Sequence, residues 1–356
     1  MITKDQLYST YKKAKQEHRE TVKFRKRLKL MNGGYRGTKK EYREVILPYW
    51  QKYGIKPNRM WFDLYCNGKE AYDPRFIPES IWVSTIRPFF NDMSMRRAYV
   101  DKGMMNRLLT DVKKPETIAK NIAGYFYDGD GERLISREEA ETICLQEDQM
   151  IIKPSLDSYG GSGIVFYDKS SEKQTIHDLF SQFRSNFVVQ RIVRQHPDLA
   201  ALNDSSLNTV RVLSFHFHGQ VHILSAQLRI GGKGARVDNI ASGGCACPVN
   251  PDGTLTGRGV TRQSSWMDES PTGIKFDTVV IPSYQDVIDT IKKLHLQLPY
   301  FNLIGWDFAV DDTGSPVMIE FNLKPGQNQI GSGEPTFGDL SDAVFDEVFL
   351  KRTKYR

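Results

Sequence analysis

The sequence predicts an α+β fold built on antiparallel sheets, not a doubly wound parallel one. Apolar segments come in adjacent pairs: residues 150–167 about a glycine-rich loop, 209–230 about His218-Gly219-Gln220, and 304–322 about Asp311-Asp312-Thr313-Gly314. Strands joined by turns this short pair antiparallel. Helical periodicity falls between the pairs, at 175–183 and 283–296, instead of alternating with single strands, which is the α+β arrangement. A chain of 356 residues can hold two or three domains and a sizeable core.

Three regions are expected: a helical, basic N-terminal region over 1–95, a glycine-bearing lobe over 96–190 and a carboxylate-bearing lobe over 191–356. Between residues 12 and 40 stand Lys12, Lys13, Lys15, Arg19, Lys23, Arg25, Lys26, Arg27, Lys29, Arg36, Lys39 and Lys40, against Glu17 and Glu20 alone. Leu7, Tyr8, Tyr11, Val22, Leu28 and Leu30 give this basic helix patchy apolar contacts. Such a block suits an anionic membrane surface, a polyanionic glycan or a merely solvated face. No nucleic-acid-binding motif accompanies it, so nucleic acid is not an expected partner.

Asp73-Pro74-Arg75-Phe76-Ile77-Pro78 reads as a connector. A short apolar helix through Met105, Leu108 and Leu109 follows, then a strand at 125–127 and a helix opened by a capping box of Ser136 and Glu139. Residues 187–190 read as a strand, and Ser283 is placed to cap the helix after it. His216, His218 and His222 lie on a hairpin as ordinary exposed residues, without partners for a metal site. No run approaches the roughly 18 apolar residues of a membrane helix, and no signal-peptide pattern opens the chain. Cys66, Cys144, Cys245 and Cys247 make no disulfide framework. Cys245-Ala246-Cys247 is too close-set for zinc and reads as small buried strand residues. A reducing cytoplasm is the expected compartment, with peripheral membrane association through the N-terminus.

The 304–322 hairpin carries chemistry. Glu320 and Asn322, two residues apart, share one face, and closure at the turn brings Asp307 opposite them. Three oxygen donors converging in an apolar sheet are costly unless compensated, and hard donors of this kind suit Mg²⁺ beside phosphates. The alternative is that Asp307 caps a turn and Glu320 lies on a solvated face.

The upstream cassette complements it. A strand delivers Lys153, and Gly160, Gly161 and Gly163 then let backbone N–H groups approach an anion. It lacks the Gly-Lys-Ser/Thr triplet of a Walker A loop and the downstream partners of a kinase loop.

The whole set resembles the ATP-grasp superfamily and, more narrowly, the sugar-transfer-associated ATP-grasp proteins found with bacterial surface-polysaccharide genes. The residues carrying the match are Asp101-Lys102, Lys153-Pro154, Ser206-Leu207-Asn208-Thr209-Val210-Arg211, Asp238-Asn239 with Gly243-Gly244, Gly305-Trp306-Asp307 and Ile319-Glu320-Phe321-Asn322. They span about residues 73 to 330, and many relatives carry a glutamate where Gln190 stands.

The resemblance implies ATP between two lobes. Lys102 and Lys153 would contact phosphates beneath a closing loop of Ser158, Gly160, Gly161, Ser162 and Gly163. The backbone from Gln190 and Arg191 to Val193 would receive adenine, with His196 or Asp198 near the ribose. Asp307, Glu320 and Asn322 would hold one or two Mg²⁺. Arg211, alternating with Val210 and Val212, offers a planar fork for the γ-phosphate or a substrate carboxylate, and Arg229 and Asn239 would complete an acceptor pocket.

The implied reaction is ATP-dependent ligation of a carboxylate to an amine through an acyl phosphate. An amino acid and a uronic-acid-type sugar are the reactants that the family association suggests. Two rivals stay open: a small-molecule kinase on the same fold, and a non-catalytic nucleotide-binding scaffold docked through the basic N-terminus.

Overall fold

The computed structural model describes residues 4–30, 37–66, 69–129, 131, 133–156, 158, 160–171, 174–240, 243–262 and 265–351. Asp157 and Tyr159 of the glycine cassette and Arg36 of the basic segment lie outside the described residues, as do the side chains of Leu7, Tyr8, Lys12, Lys13, Arg27 and Leu30.

Two antiparallel sheets form the body. The first holds β1 (Thr117–Ile122), β2 (Tyr125–Asp128), β3 (Leu134–Ile135), β4 (Gln149–Pro154), β5 (Val165–Asp168) and β6 (Phe187–Arg191), in the order β3-β2-β1-β6-β4-β5. The second holds β7 (Thr209–Phe217), β8 (Gln220–Ile230), β9 (Cys245–Pro248), β10 (Gly259–Thr261), β11 (Trp266–Met267), β12 (Leu303–Val310) and β13 (Pro316–Asn322), in the order β11-β10-β9-β8-β7-β12-β13. This is the α+β architecture that the hairpins predict.

Turn chemistry explains the two long hairpins. His218 (φ 48°) and Gly219 (φ 79°) both occupy the left-handed region between β7 and β8, where the backbone twist matches that of the strands. Between β12 and β13 the Asp311 carboxylate accepts from the Thr313 and Ser315 N–H groups at 3.0 and 2.9 Å, closing the turn from within.

The helix Arg137–Cys144 is capped by Ser136, which accepts from Glu139 N. The Glu139 carboxylate pairs instead with Arg133 at 2.7 Å. A reciprocal capping box forms at Thr175 and Asp178, opening the helix Ile176–Phe183. Ser283 corrects the sequence reading: it sits in the left-handed region and makes no side-chain cap for the helix Tyr284–His295.

Alternation along the second sheet sorts its faces. Val210, Val212, Ile304, Trp306 and Phe308 pack with Val287, Ile291 and Leu294 of the helix Tyr284–His295. On the other face Leu213, Phe215, Phe217 and Leu303 pack with Trp50, Trp61, Phe76, Trp82 and Phe90 and with Phe345. The N-terminal helical region thus shares a core with the second sheet, and Phe76 and Ile77 of the expected connector are buried in it. It therefore lies on the face that carries Arg211 and Asp307. The first sheet keeps a separate core around Met150, Ile152, Phe180 and Val189.

Candidate active site

Register, more than loop geometry, assembles the site. Glu320 on β13, Asp307 on β12, Arg211 on β7 and Gln227 on β8 stand in one row across four neighbouring strands, where opposed residues lie roughly 5 Å apart. Thr209 and Arg229 pair two residues along on the same face, and Asn322 pairs with Gly305 two residues the other way.

Asp307 is 4% exposed and fully engaged. Arg211 meets both its oxygens, with Nη2 to Oδ2 at 2.6 Å, and Arg229 Nη1 lies 3.4 Å from each. Burial pushes its pKa up, but the Arg211 and Arg229 guanidiniums outweigh burial and hold the carboxyl below its ordinary value. Arg229 also donates to Asp238 Oδ1 at 3.0 Å, while Thr209 donates to the other oxygen. Burial keeps the Asp238 carboxyl above its usual range against the pull of Arg229. Two acids and two guanidiniums interlock here, as buried charges must to be tolerated.

The facing wall is different. Lys153 on β4 is 6% exposed, and burial, reinforced by Lys102, brings its pKa down to about 8 against the opposing pull of Glu320. Lys102 spans the lobes: its Nζ donates to Ser158 Oγ at 3.0 Å and lies 3.4 Å from Glu320 Oε2.

Between the walls lies a cavity of about 430 Å³, lined by Lys102, Lys153, Ser158, Gly160, Gly161, Ser162, Arg191, Val193, Arg229, Asp307 and Glu320. A second, of about 300 Å³, shares Lys102, Ser158, Gly160, Arg229 and Glu320 and adds Arg211, Asn239 and Asn322. The glycines are required twice over. Gly160 and Gly161 have φ of 61° and 78°, and a Cβ would come 2.5 Å from Asn239 Nδ2 at the first and 3.1 Å from Val237 Cγ1 at the second. The second lobe clasps this loop: Asn239 Nδ2 donates to Gly160 O at 2.7 Å, and Arg236 stacks 4.0 Å above the Phe166 ring.

Some expected residues fall elsewhere. Asp198 is exposed on the helix Pro197–Ala200, 3.7 Å from His196, and neither lines the cavity. Asp204 lines it instead. Gly163 backs onto Pro154 behind the loop. Arg191 lines the cavity but pairs with Glu116 and Glu147 at 2.5 and 2.7 Å. Gln190 turns inward, donating to Thr117 Oγ1 at 3.2 Å and Pro115 O at 3.4 Å, and its buried Oε1 has no hydrogen-bond partner among the described residues. His218 is exposed, as expected of an ordinary hairpin residue, and meets Glu347 Oε2 at 3.1 Å.

Sequence reading missed the apolar walls Ile151, Ile164, Phe166 and Ile319, and Arg236 above them. Alternation along β4 places Ile151 on the Lys153 side and was available as a signal; Arg236 on an irregular segment gave none. The buried Cys245 and Cys247 behave as expected of small strand residues, burial pushing their thiols up to about 11 and about 12.

As a cation site, Asp307, Glu320 and Asn322 bring carboxylate and amide oxygens to one face, which suits a hard ion, while Arg211 and Arg229 occupy the Asp307 oxygens and Asn322 Oδ1 accepts from Lys324 N at 2.8 Å. Glu320 is the most accessible carboxylate of the set, with 31% of its side chain exposed. Among the described residues no cluster of three or more His, Cys, Asp or Glu is placed to hold a metal; the set here is two carboxylates and an amide.

Comparison with known proteins gives the family. The profile of the sugar-transfer associated ATP-grasp family matches residues 85–342. No curated protein matches the chain. Similar solved structures include the ATP-grasp ligase PsnB complexed with a phosphomimetic precursor variant, Mg and ADP (12% identity, TM-score 0.41, covering 73% of this chain and 61% of that one). D-alanyl-alanine synthetase A from Vibrio cholerae is another (11%, 0.42, 70% and 65%). So is the biotin carboxylase domain of Hydrogenobacter thermophilus 2-oxoglutarate carboxylase with MgADP and bicarbonate (13%, 0.45, 75% and 49%). The chain thus spans less than two thirds of each of these proteins, and likenesses this distant carry no argument about what it binds. The family profile covers well over half of the sequence, and this chain belongs to the sugar-transfer associated ATP-grasp family.

Proposed function

We propose that the chain is an ATP-dependent carboxylate–amine ligase using ATP and Mg²⁺. The observation that carries this reading is one cavity with lysines on one wall and the Asp307–Glu320 pair on the other, beneath a glycine loop. The first wall suits a polyphosphate and the second a hard cation. The orphaned Gln190 Oε1, beside the cavity-lining Pro115, suits a base carrying an amino donor. Ile151 and Ile319 suit its faces, and Asp204 replaces Asp198 as the candidate near the ribose.

In the reaction, a substrate carboxylate attacks the γ-phosphorus of ATP and ADP leaves, giving an acyl phosphate. An amine then displaces phosphate and loses a proton, forming the amide. Lys102 and Lys153 bind and orient the phosphates, and the clasp of Asn239 on Gly160 excludes water. Arg211 and Arg229 hold the acceptor side in place. Glu320 and Asn322, with Asp307, would hold Mg²⁺, which when bound supplies charge neutralisation at the transferring phosphoryl group.

The substrates we favour are an amino acid and a uronic-acid-type sugar, in cytoplasmic surface-polysaccharide assembly. The second cavity supports that class, since Arg211, Arg229, Asn239 and Gln227 suit an anionic, hydroxylated molecule. The helix Lys4–Leu30 turns Phe24 inward and exposes Lys15, Arg19, Lys26 and Lys29, which supports attachment to an anionic membrane or glycan. No described helix is long and apolar enough to cross a membrane.

The test is to incubate the protein with ATP, Mg²⁺, pooled amino acids and pooled uronic acids, following phosphate release and new masses. Release that needs both an acid and an amine, with an amide product mass, is expected. Release with one acceptor alone, giving a phosphorylated product, would replace the ligase with a kinase.

A further inference from the structure

Beside the second cavity lies a third concavity of about 500 Å³, lined by Arg87, Pro88, Met93, Ser94, Arg96, Arg97 and Lys324, with Asp92 beside it accepting from Ser94 N and Oγ at 2.9 and 2.6 Å. Arg96 lines both, so the two meet at its side chain. Lys324 follows Asn322, which lines the second cavity, by two residues. The groove is therefore an extension of the acceptor side of the site, with four cations in its walls against the one neighbouring carboxylate of Asp92.

Local structure holds these cations together. Arg87 begins the helix Arg87–Phe90, and Arg96 and Arg97 begin the helix Arg96–Tyr99. Arg87 Nη1 donates to Pro325 O at 3.4 Å, fixing its guanidinium beside the backbone that carries Lys324. Burial and the neighbouring Arg96 both depress the Arg87 pKa, against Glu79 and Glu20 on its other side. Burial raises the Glu79 carboxyl above its ordinary range, and Gln327 Nε2 donates to it at 2.7 Å. Like charges gathered in a partly buried groove favour a multivalent anion, and guanidiniums fit phosphate oxygens bidentately.

We propose that this groove binds the phosphate or diphosphate of an activated sugar whose carboxylate reaches the second cavity. Arg87, Arg96, Arg97 and Lys324 hold the phosphates, and Arg96 marks the junction with the sugar. The assignment rests on the ligase reading for the sugar's role, not for the anion site itself. A nucleoside diphosphate and a lipid diphosphate present the same group, and the source is separated by experiment.

The full chain is titrated calorimetrically with inorganic pyrophosphate while a non-hydrolysable ATP analogue and Mg²⁺ saturate the first cavity. Binding is expected, with at least about tenfold weakening in Arg97→Glu and in Lys324→Glu, as loss of charge-assisted contacts implies. Arg97→Gln should weaken it less, with circular dichroism unchanged in all three. Analogue affinity in these variants should stay within about twofold. No pyrophosphate binding, or equal binding in the charge-reversed proteins, overturns the proposal. Groove-dependent pyrophosphate binding in a protein that never binds the analogue would sink the ligase reading and leave the groove standing. A nucleoside diphosphate sugar and a short prenyl diphosphate, titrated in parallel, identify the source by which of them loses affinity in Arg97→Glu.

Discussion

The two sheets face one cavity and treat charge in opposite ways. The second sheet arrives compensated: Asp307 and Asp238 each meet a guanidinium within one interlocked set. The first sheet presents Lys153 with burial and Lys102 both opposing its charge. One wall is a finished ion network and the other is short of an anion, so affinity for a polyphosphate resides chiefly in the first lobe. The second lobe supplies rigid placement.

Breaking the compensated wall should have the largest effect. Asp307→Asn removes the carboxylate that Arg211 and Arg229 share, leaving Arg229 its Asp238 partner and the half-buried Arg211 a neutral amide, and should cost roughly 3–5 kcal/mol of stability, read by denaturant unfolding. Loss of less than about 1 kcal/mol, the range of exposed pairs, would mean the network is effectively solvated.

Glu320→Gln should leave folding intact, because this side chain is half-buried and glutamine keeps its shape and an oxygen acceptor, yet lower turnover about 10²–10³-fold, the scale for losing one charge-stabilising group. Unchanged turnover would remove Glu320 from the chemistry.

The uncompensated wall is sharpened by pH. The Lys153 pKa of about 8 lies below its ordinary value, so the lysine is charged below that pH and neutral above it. Apparent ATP affinity should therefore fall as pH rises through 8, and in Lys153→Met it should be weaker below that pH, approach wild type above it and lose that dependence. Stability moves the other way: the unfolded chain binds the extra proton between about 8 and the ordinary lysine value, so the burial cost of this group disappears as pH rises across that window. A wild-type affinity flat from pH 7 to 9 would count against the assignment.

The smallest effect is expected at the clasp. Arg236→Ala removes a stack worth about 0.5–2 kcal/mol and should speed nucleotide release several-fold in stopped-flow, with turnover otherwise retained. No change in release would show that the segment merely lies against the loop.

The second wall was the more legible in sequence. The turn Asp311-Asp312-Thr313-Gly314 closes the β12–β13 hairpin, and a one-residue shift at Ile319 then brings Asp307 opposite Glu320, where unbroken pairing from the turn would have set it against Ile319. Arg211 was recognised as facing the site, but its partner was not, because the pairing of β7 with β12 joins strands far apart in sequence. Strand β1 went unread because Lys120 and Asn121 look like surface residues and yet are buried. Ser283 resembled a helix cap by composition while its backbone is left-handed. Asp198 and Asp204 are close in sequence, and only the packing of the helix Pro197–Ala200 decides which one faces the cavity.

The most direct measurement is calorimetric titration of ATP into wild type and Glu320→Gln, each with and without Mg²⁺. Nucleotide binding should strengthen markedly with Mg²⁺ in wild type and lose most of that enhancement in the variant. Equal Mg²⁺ enhancement in both proteins would contradict a cation held by the β12–β13 hairpin against the phosphates.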